Sequence, residues 1–258
     1  MDVVILAAGR GERLWPLTRS TPKCLLEIGE GVTLLESQLL TIRQVPALKR
    51  VLLVVGYLAE QIEAKLRVYE RGTPIVPVYN PFYATSNNLV SLWLAMPHAG
   101  PEFVVVNGDN IFRSDLLARL LSSPARDEVV MVVDRKPTYS EDDMKVVTSG
   151  GLVHEVGKTI PPEKTNGESI GMILFRGRGA VKLREILDTM VRTEAGRNAF
   201  WLAAVQELVD SGFPAHFLEC SPDEWAEMDY HPDREIIRAN IGRFAEHLLS
   251  DLAKKPES

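Results

Sequence analysis

Cysteine is scarce in this chain. Cys24 and Cys220 are the only two, too few for a disulfide scaffold and in no metal-ligand spacing. That usage fits a reducing compartment, so a cytoplasmic location is expected. Long apolar runs are missing as well: nothing approaches the ~20 residues of a membrane span. The opening apolar stretch, Val3 to Ala8, follows Asp2 and stops at Gly9, and it lacks the basic flank and the length of a signal peptide. Positive charge is not in excess. The 35 acidic residues outnumber 29 basic ones for a net charge of -6, which argues against the basic footprint of a nucleic-acid binder. Neither a membrane nor a nucleic-acid partner is expected. No internal repeat and no low-complexity linker interrupts the chain.

What remains is an ordinary globular balance, 45% hydrophobic and 25% charged over 258 residues, long enough to bury a core without staples. Asp2 to Ala8 is a continuous apolar run ended by the glycine-rich loop Gly9 to Gly11, the pattern of a buried parallel strand. Thr33 with Glu36 forms a capping box ahead of a helix from Leu34 to Val45. Further strands are expected at Arg50 to Gly56, Pro74 to Tyr79, Phe103 to Val106 and Val129 to Val133. Helices are expected at Leu58 to Tyr69 and Asn87 to Met96. This alternation predicts βαβ units on a parallel sheet. After Asp134 the rhythm changes. Met144 to Thr148 and Leu152 to Val156 predict a hairpin on the Gly150-Gly151 turn. A strand at Ile170 to Phe175, helices at Ala180 to Arg192 and Trp201 to Ser211, a short strand at Trp225 to Asp229 and a closing helix from Arg234 to Leu252 follow. The expectation is an α/β fold with a mixed, mainly parallel sheet flanked by helices. A second-half β-hairpin and helical insertion would cover the acceptor site. The whole forms one domain over 1–253 (halves 1–134 and 135–233, closing helix 234–253) with a tail at 254–258.

The strongest local signal is LAAGRGERL, Leu6 to Leu14, followed by Pro22-Lys23. Small residues at Ala7, Ala8 and Gly9, with Gly11 beyond, let a ligand lie against backbone N–H groups. Arg10, Arg13 and Lys23 add positive charge where a triphosphate would lie. The loop is neither the dinucleotide fingerprint, since Leu14 stands in place of its third glycine, nor a Walker loop, since the lysine comes at the wrong distance. By itself it reads equally as a tight turn with solvated arginines.

Taken together, these residues resemble the nucleotidyltransferases that make nucleotide-activated sugars, cholines and phosphonates. A second block, NPFYATSNNLVSLWLA from Asn80 to Ala95, is similar to the branch of cytidylyltransferases acting on phosphocholine, aminoalkylphosphonates or inositol phosphate. Met144-Lys145-Val146, Val156-Gly157-Lys158 and Ile170-Gly171-Met172 look like that branch too. The resemblance runs from Met1 to about Asp233. It implies a Rossmann-like nucleotide-binding core and a Mg²⁺-dependent reaction. It also implies that the opening loop from Leu6 to Arg13 holds the nucleotide together with Lys23, and that Asp109 and Asp229 bind the metal.

On the residues themselves, Asp109 follows an apolar strand at the sheet edge where open α/β folds bind ligands, although Asn107-Gly108-Asp109-Asn110 is also rich in turn formers. Glu227 and Asp229, two apart on a short strand, would share a face. The expected chemistry couples CTP to a small phospho- or phosphono-acceptor with release of pyrophosphate. Lys23 would sit at the α-phosphate, Arg13 at the leaving group and Asp109 on the metal. Ser86, Asn87 and Asn88 open a helix and either read the nucleotide or serve as ordinary caps. Lys145 and Lys158 are expected at the acceptor's phosphate, or simply at strand edges. Trp201, Trp225, Asp134, Glu168 and Glu227 are candidates for its head group, with Tyr83 beside them. An aromatic face would suit an alkylammonium, and the core would suit the same tryptophans. A sugar-1-phosphate uridylyl- or thymidylyltransferase and a non-catalytic nucleotide-binding subunit are the rival readings. The chain is expected to act as a monomer or small homo-oligomer.

Overall fold

The computed structural model describes residues 1–29, 31–66, 73–124 and 126–244. A nine-stranded sheet in the order β5-β4-β1-β6-β11-β8-β12-β10-β9 forms its centre. The first four strands in that order, β5 (Ile75–Tyr79), β4 (Arg50–Val55), β1 (Asp2–Leu6) and β6 (Phe103–Asn107), run parallel. The near-continuous runs of Val, Ile and Leu in β4 and β1, and of Val in β6, follow from burial on both faces. Val3, Val4, Ile5 and Val51 to Val55 are all closed to solvent. β11 (Gly167–Phe175) then enters antiparallel beside β6 and pairs on its other side with β8 (Val129–Asp134). β12 (His216–Cys220) runs parallel to β8. Beyond it lie β10 (Leu152–Gly157) and β9 (Lys145–Ser149), the hairpin on Gly150-Gly151. The hairpin thus extends the main sheet, and β9 also meets the start of β11. Seven of the nine strands share one direction; β10 and β11 oppose them.

Helices cover both faces. One apolar cluster packs α3 (Asn88–Ala95), α5 (Gly177–Met190) and α7 (Leu202–Asp210) against the sheet, with Trp201 and Phe175 at its heart. On the other face α1 (Leu34–Arg43), α2 (Ala59–Leu66) and α4 (Ser114–Leu121) bury Leu39, Ile62 and Leu117. α1 begins as its sequence dictates. Thr33 Oγ1 accepts from the Glu36 N–H at 3.3 Å, and the Thr33 N–H donates back to the Glu36 carboxylate at 2.7 Å. A third, smaller cluster joins Leu14, Ile28 and Leu34 to Met228 and Ile237, so the last described helix, α8 (His231–Phe244), packs beside the opening loop. The expected ends of the second and closing helices, 67–69 and 245–252, and the tail at 254–258 lie outside the described residues. No helix among them is long and apolar enough to cross a membrane.

Candidate active site

The opening loop leaves β1 and doubles back to place Lys23. Gly11 has a left-handed backbone, φ 63°, and a Cβ there would stand 3.1 Å from the Lys23 Cβ. Only glycine meets both demands, the positive φ and the close approach. Thr18 Oγ1 donates to the Gly11 carbonyl at 2.7 Å and closes the turn. Lys23 then opens a short 3-10 turn, Lys23–Leu25, after Pro22, with its side chain largely buried.

The Asn107-Gly108-Asp109-Asn110 turn faces it. A Cβ on Gly108 would fall 2.5 Å from the Leu6 carbonyl, so glycine is what lets the turn lie against β1. From α1, the buried Gln38 amide donates to the carbonyls of Asn107 and Asn110, both at 2.8 Å. β7 (Asn110–Phe112) pairs antiparallel with β13 (Trp225–Glu227), Asn110 opposite Glu227. The Met228 N–H extends that ladder to the Asp109 carbonyl at 3.0 Å. This two-stranded clasp is why Asp109 and Asp229 meet across 120 positions of sequence. Asp229 lies beyond the end of β13 rather than on it, and its N–H donates to the Asp233 carboxylate at 2.8 Å.

The Lys23 ammonium sits between the two acids, 2.8 Å from Asp109 Oδ2 and 2.8 Å from Asp229 Oδ1. Arg13 completes the cluster 2.8 Å from Asp229 Oδ2. Burial alone would pull the Lys23 pKa down, but Asp109 and Asp229 outweigh it and hold it above its usual value. Glu227 is pushed the same way for the opposite reason. Its burial, then the negative charges of Asp109 and Asp229, raise its carboxyl well above the usual range. One carboxylate oxygen from each of Asp109, Glu227 and Asp229 lies within 4.8 Å of the others. An octahedral ion with ~2.1 Å bonds holds neighbouring oxygens ~3.0 Å apart and opposite ones ~4.2 Å apart, so the three carboxylates would draw together on binding one Mg²⁺-sized ion. Asp109 Oδ1 is buried with no hydrogen-bond partner among the described residues, an acceptor left available for a cation. The all-oxygen donor set suits a hard divalent ion.

Two clefts meet at this cluster. The first, of about 360 Å³, is lined by Leu6, Ala7, Ala8, Gly9, Gly11, Arg13, Lys23 and, across it, Ser86, Asn87 and Asn88. Arg10 is not part of that lining; its guanidinium lies over the Tyr83 ring, 5.9 Å from the centroid. Asn87 is the N-cap of α3, accepting from the Asn88 N–H, while the Asn88 carboxamide oxygen accepts from the Trp201 N–H at 2.8 Å. Capping and lining the cleft therefore coexist at these residues. The second cleft, of about 560 Å³, shares Arg13, Asn88 and Asp109 with the first and is lined further by Asp134, Lys158, Glu168, Trp201, Trp225, Glu227 and Asp229. Both volumes suit a small ligand.

Lys145 does not reach this cleft. Its buried ammonium donates to the Lys158 carbonyl at 2.7 Å and the Glu141 carbonyl at 3.4 Å, so it ties the segment before β9 to the end of β10. Lys158 does line it, and so does Lys136, which sequence reasoning missed. Its ammonium bridges Asp143 at 2.8 Å and Glu168 at 2.6 Å. Only its place just after the apolar run of β8 marks it. Trp201 and Trp225 combine core and site roles: their indole N–H groups donate to Asn107 Oδ1 at 2.9 Å and Asp134 Oδ2 at 3.0 Å, while both line the cleft. Phe200, Asp142 and Tyr230, also unanticipated, complete its mouth.

Burial pushes the Glu168 carboxyl up to about 7, against the pull of Lys136. A carboxyl raised in the folded state costs stability as it ionises: nothing below its unfolded value near 4.5, and the full amount above 7. Glu168→Gln should therefore melt higher than the parent at pH 8, by up to about 3 kcal/mol at about 1.4 kcal/mol per pKa unit, and the gain should vanish toward pH 4.5. Melting curves across that range check it; a variant less stable than the parent at pH 8 would show that the ion pair with Lys136 dominates.

The chain and its fold have counterparts among known proteins. The chain is 29% identical over 238 residues to a bifunctional IPC transferase and DIPP synthase of Rubrobacter xylanophilus, covering 92% of this chain and 51% of the relative. It is 33% identical over 132 residues to a choline-phosphate cytidylyltransferase of Streptococcus pneumoniae, covering 50% of this chain and 55% of the relative. The chain thus spans about half the length of these curated relatives. The solved CTP:phosphocholine cytidylyltransferase of Streptococcus pneumoniae superposes with a TM-score of 0.74 at 22% identity, covering 93% of this chain and 98% of that one, a likeness of fold. The family model of the MobA-like NTP transferase domain matches residues 3–207, and with most of its length so matched the chain belongs to that family.

Proposed function

We propose that the protein is a cytidylyltransferase. It transfers CMP from CTP to a small phosphorylated or phosphonate acceptor, such as phosphocholine or an aminoalkylphosphonate, and releases pyrophosphate. One observation carries the reading: the Lys23–Asp109–Asp229 cluster stands where the glycine-loop cleft opens into the second cleft. That is the place for a reacting phosphorus between two substrates. The relatives named above support the choice of cytidine and of a phosphorylated acceptor.

In this reading the triphosphate lies along Ala7 to Arg13. An acceptor oxygen attacks the α-phosphorus, and the bond to the β-phosphate oxygen breaks. A phosphate monoester has a second pKa of ~6 and is ionised at neutral pH, so no general base is required. The protein's task is alignment and charge neutralisation. Lys23 meets the charge developing at the α-phosphorus and Arg13 that of the departing pyrophosphate. Asp109 and Asp229, with Glu227 beside them, would hold a divalent ion, Mg²⁺ being the ordinary partner of such oxygens. When bound, that ion supplies further neutralisation of phosphate charge.

A panel of CTP, UTP, dTTP, ATP and GTP against phosphocholine, 2-aminoethylphosphonate, inositol 1-phosphate and glucose 1-phosphate tests the proposal through initial rates of pyrophosphate release. CTP should exceed every other nucleotide by about tenfold or more. A comparable preference for UTP or dTTP, with glucose 1-phosphate as acceptor, would move the chain to the sugar-phosphate branch. No release with any pair would favour a nucleotide-binding subunit.

A further inference from the structure

The mouth of the second cleft holds an anion that belongs to the protein. Asp142 lies between β8 and β9, and its side chain is 56% exposed. The Tyr230 hydroxyl donates to Asp142 Oδ2, and the Lys158 ammonium stands 3.6 Å from Asp142 Oδ1. The Arg13 guanidinium lies over the Tyr230 ring, 5.3 Å from the centroid. The Lys158 ammonium lies over Phe200 at 4.9 Å. All five side chains line the cleft. They come from separate stretches of chain: the opening loop, the segment before β9, the end of β10, the approach to α7 and the residue after Asp229. An ammonium and a phenol converging on one anion, with a guanidinium beside them, is the donor set that phosphoryl recognition uses. Contacts between solvated charges are weak, so the carboxylate can leave at little cost.

We propose that Asp142 is a tethered substitute for the acceptor's phosphoryl group: it pairs with Lys158 and accepts from Tyr230 in the empty cleft, and the acceptor's phosphate or phosphonate displaces it. The proposal rests on the transferase reading for the identity of the displacing ligand, but not for the existence of the anion seat. A dianion brings more charge to Lys158 than the carboxylate it replaces, so displacement runs forward for a phosphomonoester. The cost is affinity. An acceptor that must compete with an internal anion binds only to the fraction of molecules whose seat is open.

Two measurements test this. Calorimetry with inorganic phosphate should show tighter binding to Asp142→Asn than to the parent, by about threefold or more, and weaker binding to Lys158→Ala. In turnover, Asp142→Asn should lower KM for the acceptor by a similar factor and leave KM for the nucleotide unchanged. Asp142→Glu should restore parental values. If Asp142→Asn raises the acceptor KM, Asp142 contacts the acceptor directly and the proposal is overturned; unchanged phosphate binding overturns it as well. A parent inactive with every substrate pair, but whose phosphate binding tightens in Asp142→Asn, would refute the transferase reading and leave the seat standing.

Discussion

Lys23→Ala should lower kcat by about a hundredfold or more, the usual consequence of losing a preorganised donor at a site of developing charge. The geometry makes the loss double. Among the described residues the ammonium is the one group that pairs with both Asp109 and Asp229, at 2.8 Å each. Its removal takes a charge from the α-phosphate and also unbalances three carboxylates held within 4.8 Å. Nucleotide KM should change less, because the loop from Ala7 to Gly11 still presents its backbone. The split between kcat and KM comes from steady-state pyrophosphate release at saturating and limiting CTP. Melting curves should show a folded variant whose stability at neutral pH rises more than the parent's on adding Mg²⁺, since the ion would replace the missing positive charge. A variant with kcat within about threefold of the parent would reduce Lys23 to an electrostatic strut for the acids.

Much of this framework was legible in the residues. The buried parallel strands carry apolar runs rich in Val, Ile and Leu, the first helix carries a complete capping box, and the glycine loop is followed by Pro22-Lys23. Periodicity could not reveal what depends on partners. A short strand was legible at β13, but β7 is three residues long, too short for a pattern, and only the pairing of the two brings Asp109 to Asp229. β12 mixes His216 and Glu219 with apolar residues and alternates on neither face, so turn formers bracket it but no strand period shows. Lys145 and Lys136 are indistinguishable as residue types. The fold decides between them, because Lys145 turns back onto backbone carbonyls while Lys136 meets the acids of the cleft. Tyr230 adjoins a predicted metal acid, and its role depends on Asp142, 88 positions away. The sequence leaves Trp201 equally suited to core and pocket, and it is both: fully buried, its indole N–H spent on Asn107, and still part of the cleft wall.

The largest expected effect belongs to the two acids taken together. Asp109→Asn and Asp229→Asn should each depress turnover on the order of 10³-fold, and the double variant should be little worse than either single one, because either loss disables the same cation site. Asparagine keeps the shape and the hydrogen bond to Lys23 but removes the charge a divalent ion requires. The fold should survive: Asp109 is anchored by its backbone to Met228 and Asp229 by its N–H to Asp233, neither of which uses the altered atoms. The two positions differ in a way that predicts an order. Asp229 also pairs with Arg13 at 2.8 Å, so its loss frees the guanidinium and should disturb nucleotide KM as well. Asp109 has no second basic partner among the ion pairs seen here, and its loss should leave KM nearly unchanged. Rates measured against Mg²⁺ concentration, before and after treatment with a chelator, separate the contributions. The parent should lose activity on chelation and recover it on readdition, and the variants should need far more Mg²⁺ for whatever rate remains. Near-normal turnover of Asp229→Asn at low Mg²⁺ would defeat the shared-ion reading. Glu227, whose buried carboxyl already lies beside Asp109, would then be the second ligand, and Asp229 would serve only to position Lys23 and Arg13. Additive losses in the double variant would lead to the same conclusion by a different route, because two groups that act through one ion cannot each remove it.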